Sequence, residues 1–157
     1  MSAVGRYYDE HASTEWNRLD EAWIEFAVTL AMVDRLIPPG SQVLDVGGGP
    51  GRYAIELARS GHTVDLVDLS PGCVALAEQQ AAAREVSLRS ARTGDARDVA
   101  QITPGGYDAV LVLGPLYHLV ERAERNRTIE AVWATLRPGG LGFFAMLSSY
   151  APAYFAM

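Results

Sequence analysis

A chain of 157 residues, 49% apolar and 20% charged, has the makeup of one globular domain with a substantial core. Its formal charge of −6 argues against a polyanion-binding surface, since non-specific affinity for nucleic acid comes from clustered Lys and Arg, so a small-molecule partner is expected and nucleic acid is not. No stretch reaches the roughly 18 apolar residues of a membrane span, the N-terminus lacks an apolar signal core, and Cys73 has neither a disulfide partner nor metal-ligand spacing; a cytoplasmic protein without membrane, metal or disulfide is expected.

From about Tyr7 to Leu36, large apolar residues recur every three or four positions, at Trp16, Leu19, Trp23, Phe26 and Leu30, which predicts one or two amphipathic helices. Pro38, Pro39 and Gly40 break that pattern, and Gln42 to Val46 reads as a short strand running into a glycine-rich turn. Arg52 to Ser60 reads as a helix closed by Gly61, and Thr63 to Val67 as a strand. Pro71 to Arg84 reads as a helix with Ser70 at its N-cap and proline in its first turn. Val86 to Arg92 is the third predicted strand. Tyr107 to Leu113, a nearly continuous apolar run, is the fourth and should be covered on both faces. A helix over Arg122 to Leu136, the Pro138-Gly139-Gly140 turn and a fifth strand over Leu141 to Leu147 complete the series. Such alternation predicts an α/β fold with a Rossmann-like, mainly parallel sheet, right-handed crossovers and helices on both faces.

In open parallel sheets a ligand sits beyond the carboxyl ends of the strands, where strand order reverses. The first such end is Asp45-Val46-Gly47-Gly48-Gly49-Pro50-Gly51, whose glycines let the backbone turn tightly and approach a ligand closely. About 20 residues further on, Asp68 ends the second strand, where a carboxylate can accept both hydroxyls of a ribose. Dehydrogenases and methyltransferases both use an acid there. A dinucleotide fingerprint, however, has its third glycine at position 52, where this chain carries Arg52.

Val43-Leu44-Asp45-Val46-Gly47-Gly48-Gly49-Pro50-Gly51 resembles the first motif of class I S-adenosylmethionine-dependent methyltransferases. Val67-Asp68-Leu69-Ser70 resembles that family's ribose-binding strand end, Gly94-Asp95-Ala96 its adenine-binding segment, and Leu136-Arg137-Pro138-Gly139-Gly140 the turn before its fifth strand. The resemblance implies S-adenosylmethionine as cofactor. The backbone of Gly47, Gly48, Gly49 and Gly51 would line its methionine and ribose part, and Asp45 would orient the turn or the amino group. Asp68 would take the ribose hydroxyls and Leu69 would pack on the base. Asp95 would accept from the adenine amine beside the Ala96 amide.

In methyl transfer the protein mostly aligns an acceptor and excludes water, adding a base when the acceptor must lose a proton. Leu113-Gly114-Pro115-Leu116-Tyr117-His118-Leu119 follows the fourth strand and resembles a form common among small-molecule methyltransferases, with His118 and Tyr117 as candidate bases. Flanked by apolar residues, His118 equally suits a packing role. The N-terminal residues 1–38, with Tyr7-Tyr8-Asp9-Glu10-His11 and Glu15-Trp16-Asn17-Arg18, resemble the family's helical lid, in which Tyr8 and Arg18 could bind the methionine carboxylate; residues 42–147 would form the cofactor-binding core of the single domain. The resemblance implies methyl transfer to a small molecule.

The family's sheet ends in an antiparallel hairpin that this chain lacks before Met157. A fifth strand left at the edge would expose Phe143-Phe144-Ala145-Met146 to pairing, so a homo-oligomer is expected. Two other readings stay open: a truncated, non-catalytic module that binds cofactor or a partner, and a nicotinamide-dependent oxidoreductase, for which Asp68 would also serve.

Overall fold

The computed structural model describes residues 3–146, and Leu147, the predicted end of the fifth strand, lies outside them. Three helices, α1 (Ala3–Glu10), α2 (Ala12–Glu21) and α3 (Trp23–Leu36), precede an alternating series. It comprises β1 (Gln42–Val46), α4 (Arg52–Arg59), β2 (Thr63–Asp68), α5 (Pro71–Ala83), β3 (Ser90–Thr93), α6 (Val99–Ile102), β4 (Tyr107–Val112), α7 (Arg122–Thr135) and β5 (Leu136–Phe144). The five strands form one sheet in the order β3-β2-β1-β4-β5, and every pairing is parallel. Strand order therefore reverses between β1 and β4, which directs a ligand to the ends of those strands.

The apolar runs of β1, β2 and β4 alternate between two buried layers. Val43, Val64, Leu66 and Leu111 pack with Val33 of α3, Leu57 of α4 and Ala77 of α5. On the other face Leu44, Val46, Val67 and Val110 pack with Val99 of α6 and Val132 of α7. No helix among the described residues is long and apolar enough to cross a membrane.

The N-terminal apolar repeat resolves differently from its even spacing. The helices break at His11 and again at Ala22, so the apolar phase resets: Leu19 and Val33 are buried while Trp23 is 63% exposed. The third strand is shorter than predicted, because Glu85 turns left-handed (φ 56°) and the Val86 amide bonds Ala81 O, which uses these residues to close α5. The fifth starts earlier than Leu141. Leu136 pairs with Tyr107 and Leu141 with Ala109, so Pro138-Gly139-Gly140 forms a bulge inside β5 opposite Asp108.

The sheet buries a charged side chain midway along β2. Asp65 of β2 is 2% exposed, and its carboxylate accepts from the Arg89 guanidinium, the Ser90 hydroxyl (2.7 Å) and the Tyr107 hydroxyl (2.5 Å). These donors hold its pKa below the ordinary carboxylate range against the effect of burial, which alone would raise it. Tyr107, itself fully buried, ties β4 to β2 across β1. Tyr107→Phe should cost roughly 1–2 kcal/mol, since Arg89 and Ser90 still satisfy Asp65, whereas Tyr107→Ala should cost roughly 3–5 kcal/mol through the added cavity. Urea unfolding of the two variants measures both.

Candidate active site

The turn from β1 to α4 is built on glycine. Gly47, Gly49 and Gly51 adopt left-handed φ values of 67°, 54° and 85°, and the Gly47 amide donates to Val67 O at 2.7 Å, tying the turn to β2. Gly48 needs glycine for space, because a Cβ there would stand 2.6 Å from Asp45 Oδ2. Gly51 caps α4 against Ala77, outside the cavity described below.

Two carboxylates flank this turn. Asp68 Oδ2 accepts the Gly49 amide and Asp68 Oδ1 the Ser70 amide, both at 2.8 Å, so the side chain is clamped at the end of β2. Burial raises its pKa and those amides pull it back. Asp45 is 2% exposed and its Oδ2 has no hydrogen-bond partner among the described residues. Burial, and then the charge of Asp68, push it up to about 7, offset in part by the Ala54 amide.

Above the turn opens a cavity of about 310 Å³, within the range of small-ligand sites. Asp45, Gly47, Gly48, Gly49, Asp68, Leu69, Asp95, Ala96, Leu113, Tyr117 and His118 line it from the core side, and Tyr8 and Arg18 from α1 and α2. Glu15 of the lid segment and Pro115 of the segment after β4 also line it, as do Arg97 and Glu124, for which the sequence carries no signal.

Several polar groups in the cavity already hold partners. Asp95 caps the short turn at residues 96–98 by accepting the Arg97 amide at 2.9 Å, and both its oxygens take the Arg97 guanidinium, at 2.9 and 2.6 Å. Arg97 thus orients Asp95 and holds its carboxyl below the usual range. Arg18 pairs with Glu15 at 3.1 Å. The Tyr117 hydroxyl donates to Leu113 O at 3.1 Å, which braces the loop after β4.

Tyr8 meets His118 rather than an open space: its hydroxyl lies 2.8 Å from His118 Nε2. Burial pushes the Tyr8 phenol up to about 12, so the hydroxyl is the donor. Burial lowers the His118 pKa, so the neutral ring accepts at Nε2 and carries its proton on Nδ1.

Asp9 and Arg52 also fasten the helices over the cavity. Asp9 Oδ1 accepts the Gly72 amide at 2.6 Å and the Ser70 hydroxyl at 3.0 Å, at the start of α5. Arg52, which stands where a dinucleotide site has glycine, donates to Trp16 O at 2.9 Å and to Asp20 at 2.8 Å, with its guanidinium over the Trp16 ring.

Residues 43–140 match the family model of the methyltransferase domain. The ubiquinone biosynthesis O-methyltransferase of Xanthomonas campestris is 34% identical over 123 residues, covering 78% of this chain and 49% of that protein. The tRNA 5-carboxymethoxyuridine methyltransferase of Escherichia coli is 36% identical over 108 residues, covering 66% and 39% respectively. The crystal structure of magnesium protoporphyrin IX methyltransferase from Synechocystis with bound S-adenosylmethionine superposes with a TM-score of 0.66 at 23% identity, over 85% of this chain and 70% of that one. A protein from Pyrococcus horikoshii superposes at 0.76 and 23% identity, over 91% and 71%. The chain belongs to the class I S-adenosylmethionine-dependent methyltransferases, with their Rossmann-like fold. It spans about half the length of the curated relatives it matches.

The raised pKa of Asp45 has a definite sign. Folded, the carboxyl keeps a proton that the unfolded chain releases near its ordinary value of 3.8, so ligand-free stability should fall as pH rises from about 4 to about 7. The loss is at most about 4 kcal/mol, and Asp45→Asn should abolish that part of the pH dependence. Urea unfolding of both proteins at pH 5 and pH 8 measures it.

Proposed function

We propose that this chain transfers the methyl group of S-adenosylmethionine to a hydroxyl on a small molecule. The observation that carries this reading is the union, in one cavity, of the Asp45, Asp68 and Asp95 carboxylates with the Tyr8–His118 pair. The residues fit the cofactor: Asp45 offers a buried oxygen with no partner among the described residues, and Gly47, Gly48 and Gly49 bring backbone to the cavity wall. When bound, the cofactor supplies a methyl group on a cationic sulfur.

Each residue then has a defined task. Asp68 takes the ribose hydroxyls on lone pairs its two amide donors leave free. Asp45 faces the amino group. Asp95, steadied by Arg97, accepts from the adenine amine beside the Ala96 amide, and Leu69 packs on the base. Leu113 closes the cavity behind the reacting end. His118, kept neutral by burial, removes the proton of the acceptor hydroxyl at Nε2, where it now accepts from Tyr8. The name of the Xanthomonas relative supports oxygen as the methylated atom. The Escherichia coli relative favours a second reading, a tRNA acceptor, against which the charge of −6 counts.

Calorimetry with S-adenosylhomocysteine should show binding, weakened by roughly 1.5–3 kcal/mol in Asp68→Ala. Unchanged affinity would remove Asp68 from the site and revive the nicotinamide reading.

His118→Ala should retain cofactor affinity and lose roughly 10²–10⁴-fold in turnover, recovering as pH rises and the hydroxyl ionises unaided. With His118 in place, the acid limb of the rate profile should fall below pH 6.5, because only the neutral ring can act as base. Loss of melting temperature together with cofactor binding would instead identify a packing residue.

The β5 edge opposite β4 supports self-association, since Phe144 at its end is 40% exposed and Met146, just past the strand, 70%. Sedimentation at roughly tens of micromolar should show a dimer or larger species, and a monomer would overturn this.

A further inference from the structure

The Asp9 contact with α5 does more than hold a helix down. Asp9 Oδ1 receives the Gly72 amide at 2.6 Å and the hydroxyl of Ser70 at 3.0 Å. Ser70 is fully buried, and its Oγ also caps α5 by accepting the Cys73 amide at 3.0 Å. The same residue's own amide donates to Asp68 Oδ1, and Asp68 Oδ2 holds the Gly49 amide, both at 2.8 Å. An unbroken run of hydrogen bonds thus connects the first helix, the start of α5, the acid at the end of β2 and the glycine turn.

Gly72 shows that the core makes room for this contact. Its backbone is not left-handed, so nothing in its own conformation calls for glycine, and alanine would suit a helix better. The space a Cβ would occupy is filled by Asp9, with Oδ1 2.7 Å and the carbonyl oxygen 3.1 Å from that point. Cys73 Sγ, 3.5 Å from Tyr8 O, packs against the next turn of the same junction. Tyr8, one residue before Asp9, is the residue that reaches His118.

We propose that Asp9 is a positioning residue which, through Ser70, couples docking of the N-terminal helices to the orientation of the Asp68 carboxylate. Closing the cavity and presenting the ribose acceptor are then one event. A weak cofactor fragment would lower the helices as it engages Asp68, and a detached lid would loosen Ser70, one of the two donors that orient Asp68. This rests on the reading that Asp68 binds the cofactor ribose.

The test is calorimetry with S-adenosylhomocysteine, beside melting curves of the ligand-free protein. Absence of binding by the wild-type chain would sink the functional reading itself, and the coupling with it. If the wild type binds, Asp9→Ala should weaken affinity roughly ten- to a hundredfold, the range for a hydrogen bond to a charged group. Asp9→Asn, which keeps an acceptor oxygen, should stay within roughly threefold of wild type. Gly72→Ala should weaken binding while the ligand-free melting temperature holds or rises, because it displaces Asp9 yet favours the helix.

In an Asp68→Asn background the penalty of either lesion should largely vanish, since coupled sites are non-additive. A penalty undiminished in that background would show that the lid acts independently of Asp68 and would overturn the proposal. So would unchanged affinity in both Asp9→Ala and Gly72→Ala. Should Asp9→Ala fail to fold, Gly72→Ala and its double variant decide the matter alone.

Discussion

The Gly49 amide bonded to the Asp68 carboxylate is the interaction on which the site depends. It joins the turn after β1 to the end of β2, neighbouring strands whose parallel register runs from Gln42 and Thr63 to Val46 and Val67. With the Gly47 amide on Val67 O, it fixes a backbone path that no side chain at position 48 could follow, because Asp45 lies directly beneath. The cavity floor, the buried acid under it and the clamped acid beside it are thus consequences of one junction. Asp45 bears the cost, as a carboxyl whose Oδ2 has no hydrogen-bond partner among the described residues, near a second negative charge.

What was legible in the sequence was whatever depends on neighbours in the chain. The strand ends at Asp45 and Asp68 follow from apolar runs punctuated by acid and glycine, and the α5 N-cap at Ser70 follows from a serine before proline. The parallel sheet follows from alternation. Positions set by distant partners could not be read in the same way. Trp23 fits the apolar spacing but faces outward, because a break at Ala22 resets the helix phase. The third strand shifts towards the C-terminus because residues 85 and 86 are spent on closing α5.

The site divides along the same line. Thirteen of the fourteen residues singled out line the cavity; Gly51 supports it from behind. Their partners were hidden. Nothing in the order of residues says that Arg97 occupies Asp95, that Tyr8 ends on His118, or that Asp9 reaches 63 positions forward to Gly72. Polar pairing over such separations depends on which helix lies over which strand end, and the residue spacing is silent about it.

The Asp9 and Arg52 fastenings over the cavity also set the terms on which its cover could be exchanged. Arg52 grips a main-chain oxygen at Trp16, which any residue there would supply, and Gly72 offers a gap that any short acceptor at position 9 could fill. A foreign pair of helices grafted onto this core would thus seat on sockets that belong to the core, provided it carried that acceptor and a ring for the arginine to cover. The cover could diversify to suit different acceptors while the cofactor half stayed unchanged, and the division between constant and variable parts of the molecule would run along the plane where Asp9 and Trp16 meet Gly72 and Arg52.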